Sequence, residues 1–143
     1  MQENSGTGGN YMKPKKYKIK RNYQIPKEEK PIYRGDIYMA NMSFDITGSE
    51  QSGFRPVLVV SNNKGNKYSP TVTVVMLSSK TDRHKLPTHV YVNDHKGGLQ
   101  KDTIVLCEQL RTINKSRLTK KIGSLDDFMM DLVNRRLRIS LGI

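Results

Sequence analysis

Runs of β-branched and apolar residues, separated by glycine, asparagine and proline, are the feature that most constrains the fold of this chain. Thr71 to Ser78 is β-branched at nearly every position, Val57 to Ser61 is continuously apolar, and Gly35 to Asn41 is short and alternates. Such runs favour extended strands. The segment from Asn62 to Pro70 contains Gly65, Asn66 and Pro70, and it predicts a hairpin loop between two of these strands.

The second half of the chain predicts two more strands and one helix. Strands are expected over Thr88 to Val92 and Asp102 to Ile113, with a turn between them at Asn93, Asp94, Gly97 and Gly98. Ser124 is the predicted helix cap, with Asp127 three residues on. The helix should turn one apolar face towards the strands, formed by Leu125, Phe128, Met129, Leu132, Val133 and Leu137. Five strands with short connections and a C-terminal helix predict a mainly β fold built on a small antiparallel barrel.

Positive charge is unevenly distributed along the 143 residues, whose formal net charge is +12. Residues 1 to 31 carry eight Lys/Arg against three Glu, a net +5, and include three prolines. This composition predicts a disordered basic extension over residues 1–31, followed by one folded domain over residues 32–143. The extension is expected either to make salt-sensitive contacts with RNA or another anion, or to be a solvated tail without a role.

Cysteine content and hydropathy indicate the cellular compartment of the protein. Cys107 is the single cysteine and lies in the apolar run TIVLCEQL, so it is expected to be a small core residue, and no internal disulfide can form. No run approaches the ~18 apolar residues that a membrane span needs, and the N-terminus lacks the apolar region of a secretory signal. These features predict a soluble, cytoplasmic protein without a membrane partner.

Arg55 lies at the mouth of an apolar strand, five residues after Glu50, in a strongly basic chain. An arginine fork can engage two phosphate oxygens and stays charged, so the pattern suggests a site that binds and cuts a phosphodiester without a metal. RNA permits such chemistry, because its own 2′-hydroxyl can act as the nucleophile once it is positioned. Glu50 would orient Arg55 or accept a proton, or it is an exposed loop carboxylate.

The remaining ionisable groups suggest no second chemistry. His89 is interpreted as a satisfied core or surface histidine, and His84 and His95 as solvated loop residues. Three isolated histidines and one cysteine give no zinc spacing, and Asp126 and Asp127 are expected to stabilise a helix N-terminus rather than hold magnesium. We therefore expect no cofactor and no metal.

The motifs from Arg34 onward carry a resemblance to a known family. RGDIY at Arg34, GSEQ and RPVLV around Arg55, NKYSPTV at Asn66, LPTHV at Leu86, EQLRTI at Glu108 and the terminal ISLG occur in order. The chain thereby resembles the MazF/PemK family of toxin endoribonucleases, or mRNA interferases. The resemblance implies an SH3-like barrel of the PemK/CcdB-like toxin fold and a homodimer. It also implies a type II toxin that inhibits translation by sequence-specific cleavage of single-stranded mRNA, and a MazE-like antitoxin whose acidic C-terminal segment occupies the RNA groove.

The family's catalytic pair is an arginine before the RPVLV strand and a threonine at the end of the next strand. The arginine corresponds to Arg55, whereas the threonine position holds Ser78, which keeps the hydroxyl. The loop from Ser43 to Gly53 is one residue longer than in similar chains and carries Phe44 where they carry proline. The residues predicted to bind RNA are Phe44, Ser49, Gln51, Phe54, Ser79, Lys80, Arg83, Lys85, Gln109 and Arg111.

Two other functions share this scaffold and remain open at this point. One is a toxin that binds DNA gyrase without cutting nucleic acid, and the other is an inactive RNA-binding paralogue. The Arg55 and Ser78 pair argues against both. The resemblance leaves the RNA motif open between a UACAU-like pentad and an ACA-like triplet.

Overall fold

The computed structural model describes residues 30–43, 53–81, 85–93 and 95–143, and residues 31–143 form one compact unit. The predicted basic extension over residues 1–31 lies almost entirely outside the described residues. The strands and helices are β1 (Asp36–Asn41), β2 (Phe54–Val59), α1 (Asn63–Tyr68), β3 (Thr71–Ser78), β4 (His89–Val92), β5 (Thr103–Asn114), β6 (Leu118–Ser124) and α2 (Asp127–Leu141).

The six strands of the described residues form one antiparallel sheet in the order β4-β5-β3-β2-β1-β6. The predicted mainly β fold with a C-terminal helix is therefore confirmed. The predicted count of five strands is wrong, because it missed β6. The sequence of β6, LTKKIGS, is short, basic and only partly buried. An edge strand of this kind carries lysines that discourage pairing with other chains, and so it lacks the apolar alternation of a core strand.

Strand β3 packs on both of its faces. Val75 and Leu77 belong to a core cluster that includes residues of α2, whereas Val72, Val74 and Met76 belong to a second cluster with residues of β1, β2 and β5. Successive side chains of a strand alternate between faces, so a strand buried on both sides needs apolar residues throughout. This explains the unbroken run TVTVVMLS.

The segment from Asn62 to Pro70 is not a simple hairpin loop, as predicted, but contains the helix α1. The Asn62 side chain accepts a hydrogen bond from the Gly65 N–H at 2.7 Å and caps the helix. Asn66 is buried, and its Nδ2 donates to the Ser61 carbonyl at 2.9 Å. Two asparagines therefore stabilise one helical turn in a segment whose composition is typical of a loop.

The C-terminal helix begins later than predicted. Asp126 is the N-cap and accepts a hydrogen bond from the Met129 N–H at 2.8 Å, whereas Ser124 is the last residue of β6. The apolar face also differs from the prediction, because Phe128 is 70% exposed and Met130 is buried. Pairing of residue 124 with β1 shifts the helix start by two residues.

The predicted turn after β4 contains a short 3₁₀ segment, Lys96–Gly98, with Asp94 outside the described residues. Gly98 has φ +81°, and a Cβ there would lie 2.3 Å from the Ile122 carbonyl oxygen of β6. Glycine is therefore required where this turn packs on the edge strand. No helix in the described part of the chain is long and apolar enough to cross a membrane.

Candidate active site

Arg55 and Ser78 lie on neighbouring antiparallel strands. Arg55 is the second residue of β2, and Ser78 is the last residue of β3. The register pairs Val57 with Met76 and Val59 with Val74, and the same register carried two residues further sets Arg55 opposite Ser78. Directly opposed residues project from the same face with Cβ atoms about 4.5–5.5 Å apart. This extension of the register predicts that Arg55 and Ser78, which are 23 positions apart in the sequence, lie close together.

Ser78 is held in place and keeps a proton to donate. Its side chain is buried with its residue 6% exposed, and its Oγ accepts a hydrogen bond from the Lys80 N–H at 3.2 Å. On the other side, Ser78 pairs with Ile104 of β5. A hydroxyl has one donor as well as two acceptor lone pairs. The Ser78 O–H can therefore point at a ligand oxygen while the backbone fixes its Oγ.

Four predicted site residues lie in the loop between β1 and β2, and the two ends of this loop make a close backbone contact. The Met42 N–H donates to the Gly53 carbonyl at 2.5 Å, and a Cβ added at Gly53 would lie 2.4 Å from the Cα of Ser43. Only glycine allows the two loop ends to approach this closely. The predicted residues Phe44, Ser49, Glu50 and Gln51 lie between these ends and outside the described residues, as does Arg83.

Phe54 begins β2 and is 55% exposed. Because successive strand residues point to opposite faces, Phe54 and Arg55 project from different faces. Arg111 pairs with Val74, four residues along β3 from Ser78, which corresponds to about 13 Å. Gln109 lies in the irregular stretch of β5 between Leu106 and Leu110. The RNA-binding roles of these residues stay predictions.

Ser79, Lys80 and Lys85 are exposed, and Lys85 has its Nζ 5.1 Å from the ring centre of Tyr91. Tyr91 pairs with Ile104, which in turn pairs with Ser78. One cross-strand row therefore runs from Tyr91 through Ile104 to Ser78, and the extended register of β2 adds Arg55 at its end. We name it the site row. Sequence reasoning missed Tyr91, which is 38% exposed, because the alternation of HVYV shows only that it faces away from its neighbours.

A polar cluster lies next to the site row, at the first residue of β4. His89 is buried, its Nδ1 accepts from the Leu86 N–H at 3.3 Å, and its Nε2 is 3.2 Å from Glu108 Oε2. Since Nδ1 accepts, Nε2 is the nitrogen that donates to Glu108. The Thr88 hydroxyl donates to the other carboxylate oxygen at 3.0 Å. This matches the interpretation of His89 as a satisfied core histidine; His84 lies outside the described residues.

Two pKa values reflect this cluster. Burial acts to raise the pKa of Glu108, but hydrogen bonds from its own backbone, Thr88 and His89, together with the electrostatic influence of His89, lower it below the ordinary value. Burial, reinforced by the charge of Glu108, raises the pKa of Cys107 to about 12, although Arg136 opposes this shift. The Cys107 side chain is therefore a neutral core thiol, as predicted, and not a nucleophile.

Comparison with known proteins gives the class of this basic, mainly β domain. Residues 33–141 match the family described as PemK-like, MazF-like toxin of type II toxin-antitoxin system. The chain is 48% identical over 112 residues to "Endoribonuclease EndoA" of Bacillus subtilis (strain 168), covering 78% of this chain and 96% of the relative. The chain belongs to the PemK-like, MazF-like toxin family.

Other relatives agree. "Endoribonuclease MazF" of Staphylococcus saprophyticus is 46% identical over 110 residues, covering 77% of this chain and 91% of the relative. A solved "Endoribonuclease in complex with its cognate antitoxin from Mycobacterial species" is 27% identical with a TM-score of 0.65, covering 78% of this chain and 96% of that one. MazF from Deinococcus radiodurans, 22% identical with a TM-score of 0.66 and coverages of 80% and 100%, shares the fold.

Proposed function

We propose that this chain is the toxin of a type II toxin-antitoxin pair and an endoribonuclease that cleaves single-stranded mRNA and so inhibits translation. The relatives named endoribonucleases support the activity. The observation that supports the proposed mechanism is the pairing of β2 with β3, because the register of Val57 with Met76, extended by two residues, would set Arg55 opposite Ser78. A phosphodiester group seated between them would meet a fixed cation and a hydroxyl donor.

The proposed reaction needs no metal. The ribose 2′-oxygen forms a bond to the adjacent phosphorus, the bond from phosphorus to the 5′-oxygen breaks, and the 2′-hydroxyl proton passes to a base while the 5′-oxygen gains a proton. The products are a 2′,3′-cyclic phosphate and a 5′-hydroxyl. Glu50 is our candidate for proton acceptor or for orienting Arg55.

Arg55 and Ser78 stabilise the charge that develops on the phosphorane. The Arg55 guanidinium can donate two parallel hydrogen bonds to non-bridging oxygens, and the Ser78 hydroxyl can donate a third. Because Ser78 is buried and fixed by Lys80, its donor is positioned before the substrate arrives. Losing one such donor typically costs about 2.7–4 kcal/mol, or about 10²–10³ in rate.

The site row suggests how the neighbouring nucleotide is held. Tyr91 lies two strands from Ser78, about 10 Å across the sheet, with the Lys85 ammonium beside its ring. An exposed aromatic ring offers a stacking surface for a base, and Lys80 and Lys85 offer charge for phosphates. We add Tyr91 to the proposed RNA-binding residues.

The proposed partners follow from the family and from charge. A solved relative is an endoribonuclease in complex with its cognate antitoxin, and a MazE-like antitoxin with an acidic segment would complement a chain of net charge +12. We further propose a homodimer and a cytoplasmic location. Sedimentation at micromolar concentration tests the dimer, and a protein that stays monomeric there contradicts it.

Cleavage of a long transcript in the presence of EDTA tests the mechanism. We expect fragments with 5′-hydroxyl ends, and primer extension would give the recognition motif. Arg55→Ala should lose about 10²–10³ or more in rate. The matched control is Arg135→Ala, because Arg135 is exposed on α2 and pairs with Asp131, and it should cleave normally.

One further substrate and two further variants sharpen this test. An RNA with deoxyribose at the cut site should bind but stay intact, because it lacks the nucleophile. Ser78→Thr should retain activity, whereas Ser78→Ala should lose it. An obligatory divalent ion, or full activity in Arg55→Ala, would contradict the proposed mechanism.

A further inference from the structure

Two segments of the sequence contain cations but no carboxylates. Residues 53–81 and 109–124 together hold nine Lys/Arg and neither Asp nor Glu, although the whole chain has 13 acidic residues. The sheet brings parts of these segments together, because β3 pairs with the second half of β5. The cations of these segments therefore continue along β3 beyond the site row, with Arg111 opposite Val74 and Lys115 next to the start of the strand.

Helix α1 presents the most exposed part of this surface. Lys64, Lys67 and Tyr68 are spaced i, i+3 and i+4, so they share one face of the helix. All three are exposed, with Tyr68 at 72%, and the Lys67 ammonium lies 5.3 Å from the centre of the Tyr68 ring. The face is rigid, because Asn62 caps the helix and the buried Asn66 anchors it to Ser61.

Lys115 extends this face from the neighbouring chain turn. Its N–H donates to the Pro70 carbonyl at 3.0 Å, and Asn114 pairs with Thr71 at the start of β3. We define the α1 patch as Lys64, Lys67, Tyr68 and Lys115. Among the described carboxylates, none forms an ion pair with these three lysines.

We propose that the α1 patch is a second RNA-docking surface that holds the strand away from the point of cleavage. The inference rests on the proposed function, which supplies an RNA substrate. Ser78 is the last residue of β3 and the patch lies beyond its first residue, Thr71, which is seven positions or about 23 Å from Ser78 along the strand. A strand long enough to span this distance can place phosphates on the lysines and a base on Tyr68. A minimal oligonucleotide that occupies the site row is too short to reach the α1 patch as well.

Binding of long and short RNA distinguishes this role. The probes are a strand of about 20 nucleotides and one of about 6, both carrying the cleavage motif with deoxyribose at the cut site so that they stay intact. Fluorescence anisotropy would measure the affinities of both strands for the parent protein and for the double variant Lys64→Gln/Lys67→Gln. We expect about tenfold weaker binding of the long strand and unchanged binding of the short one.

Salt dependence gives a second readout. For single strands the slope of log affinity against log salt is about −0.7 per phosphate contact, so the double variant should lose about 1.4 from the slope for the long RNA. Tyr68→Ser should weaken binding of the long strand while leaving its salt slope unchanged. The matched control is Lys96→Gln/Lys101→Gln, which removes two exposed lysines outside the two carboxylate-free segments and should change the affinity little.

The outcomes separate this inference from the proposed function. Unchanged affinity of the double variant for the long RNA would overturn the patch, as would an equal loss for long and short strands. Normal RNA binding with loss of antitoxin binding would show a protein-docking surface and also overturn it. If Arg55→Ala still cleaves RNA, that result contradicts the proposed cleavage mechanism but not the α1 patch, because the binding assays for the patch use RNA that cannot be cleaved.

Discussion

Replacing Gly53 by alanine should both destabilise the protein and impair its activity. The added Cβ would lie 2.4 Å from both the Cα and the N of Ser43, a distance at which the two loop ends must separate. Separation breaks the hydrogen bond from the Met42 N–H to the Gly53 carbonyl, which contributes about 1 kcal/mol. Overpacking adds about 1–3 kcal/mol. The total is about 2–4 kcal/mol, or a fall in Tm of about 8–16 °C for a domain of this size.

Urea unfolding followed by fluorescence or circular dichroism would measure the loss, and cleavage of a motif-bearing RNA would report on the loop. Ser43→Ala is the control, because it keeps the Cβ and removes only an exposed hydroxyl, and it should stay within about 0.5 kcal/mol of the parent. Adding Ser43→Gly to Gly53→Ala should not restore stability, since the nearest atoms belong to the backbone. A Gly53→Ala protein with an unchanged urea midpoint would refute the reasoning.

Three smaller predictions concern Asn66, Glu108 and Cys107. Asn66→Ala removes the two hydrogen bonds to Ser61 and should cost about 2 kcal/mol in urea unfolding; an unchanged midpoint would show that they contribute nothing net. Since the folded pKa of Glu108 is lowered, its stabilising effect is complete above the ordinary value of 4.5 and lost as pH falls through the lowered pKa. Glu108→Gln should therefore flatten the fall in unfolding free energy below pH 4.5, and an unaltered pH profile would contradict this. Cys107, with a pKa of about 12, should resist iodoacetamide at mildly alkaline pH until urea unfolds the protein, and mass spectrometry would reveal any labelling of the native state.

Sequence patterns predicted the elements whose burial is uniform. The run Thr71 to Ser78 is buried on two faces, so its composition alone identifies a strand, and the structure has β3 with the same bounds. Cys107 was likewise predictable, since an isolated cysteine among apolar residues is usually core. Local composition suffices where one environment applies to the whole segment.

The missed elements depend on contacts that are distant in sequence. Helix α1 requires Asn66 to reach the Ser61 carbonyl, and the partly exposed β6 exists because it pairs with β1, more than 75 residues earlier. The start of α2 was misplaced for the same reason, since Ser124 pairs with Asp36 rather than capping the helix. Neither periodicity nor capping rules contain these partners.

The site row shows why the candidate site could be predicted only in part. Arg55 and Ser78 stand at corresponding ends of consecutive strands, so a short antiparallel connection predicts their meeting. Tyr91 joins them only through β5. The register of β5 with β3 shifts between two neighbouring pairs, because Met76 pairs with Leu106 whereas Val75 pairs with Leu110. Three residues of β5 lie within that shift, and a register error of one residue would turn Ile104 and its row to the other face. The bulge therefore aligns the first half of β5 with the site independently of the second half, which carries Arg111 and leads to the α1 patch. An insertion in this stretch should uncouple the two proposed RNA surfaces before it unfolds the sheet.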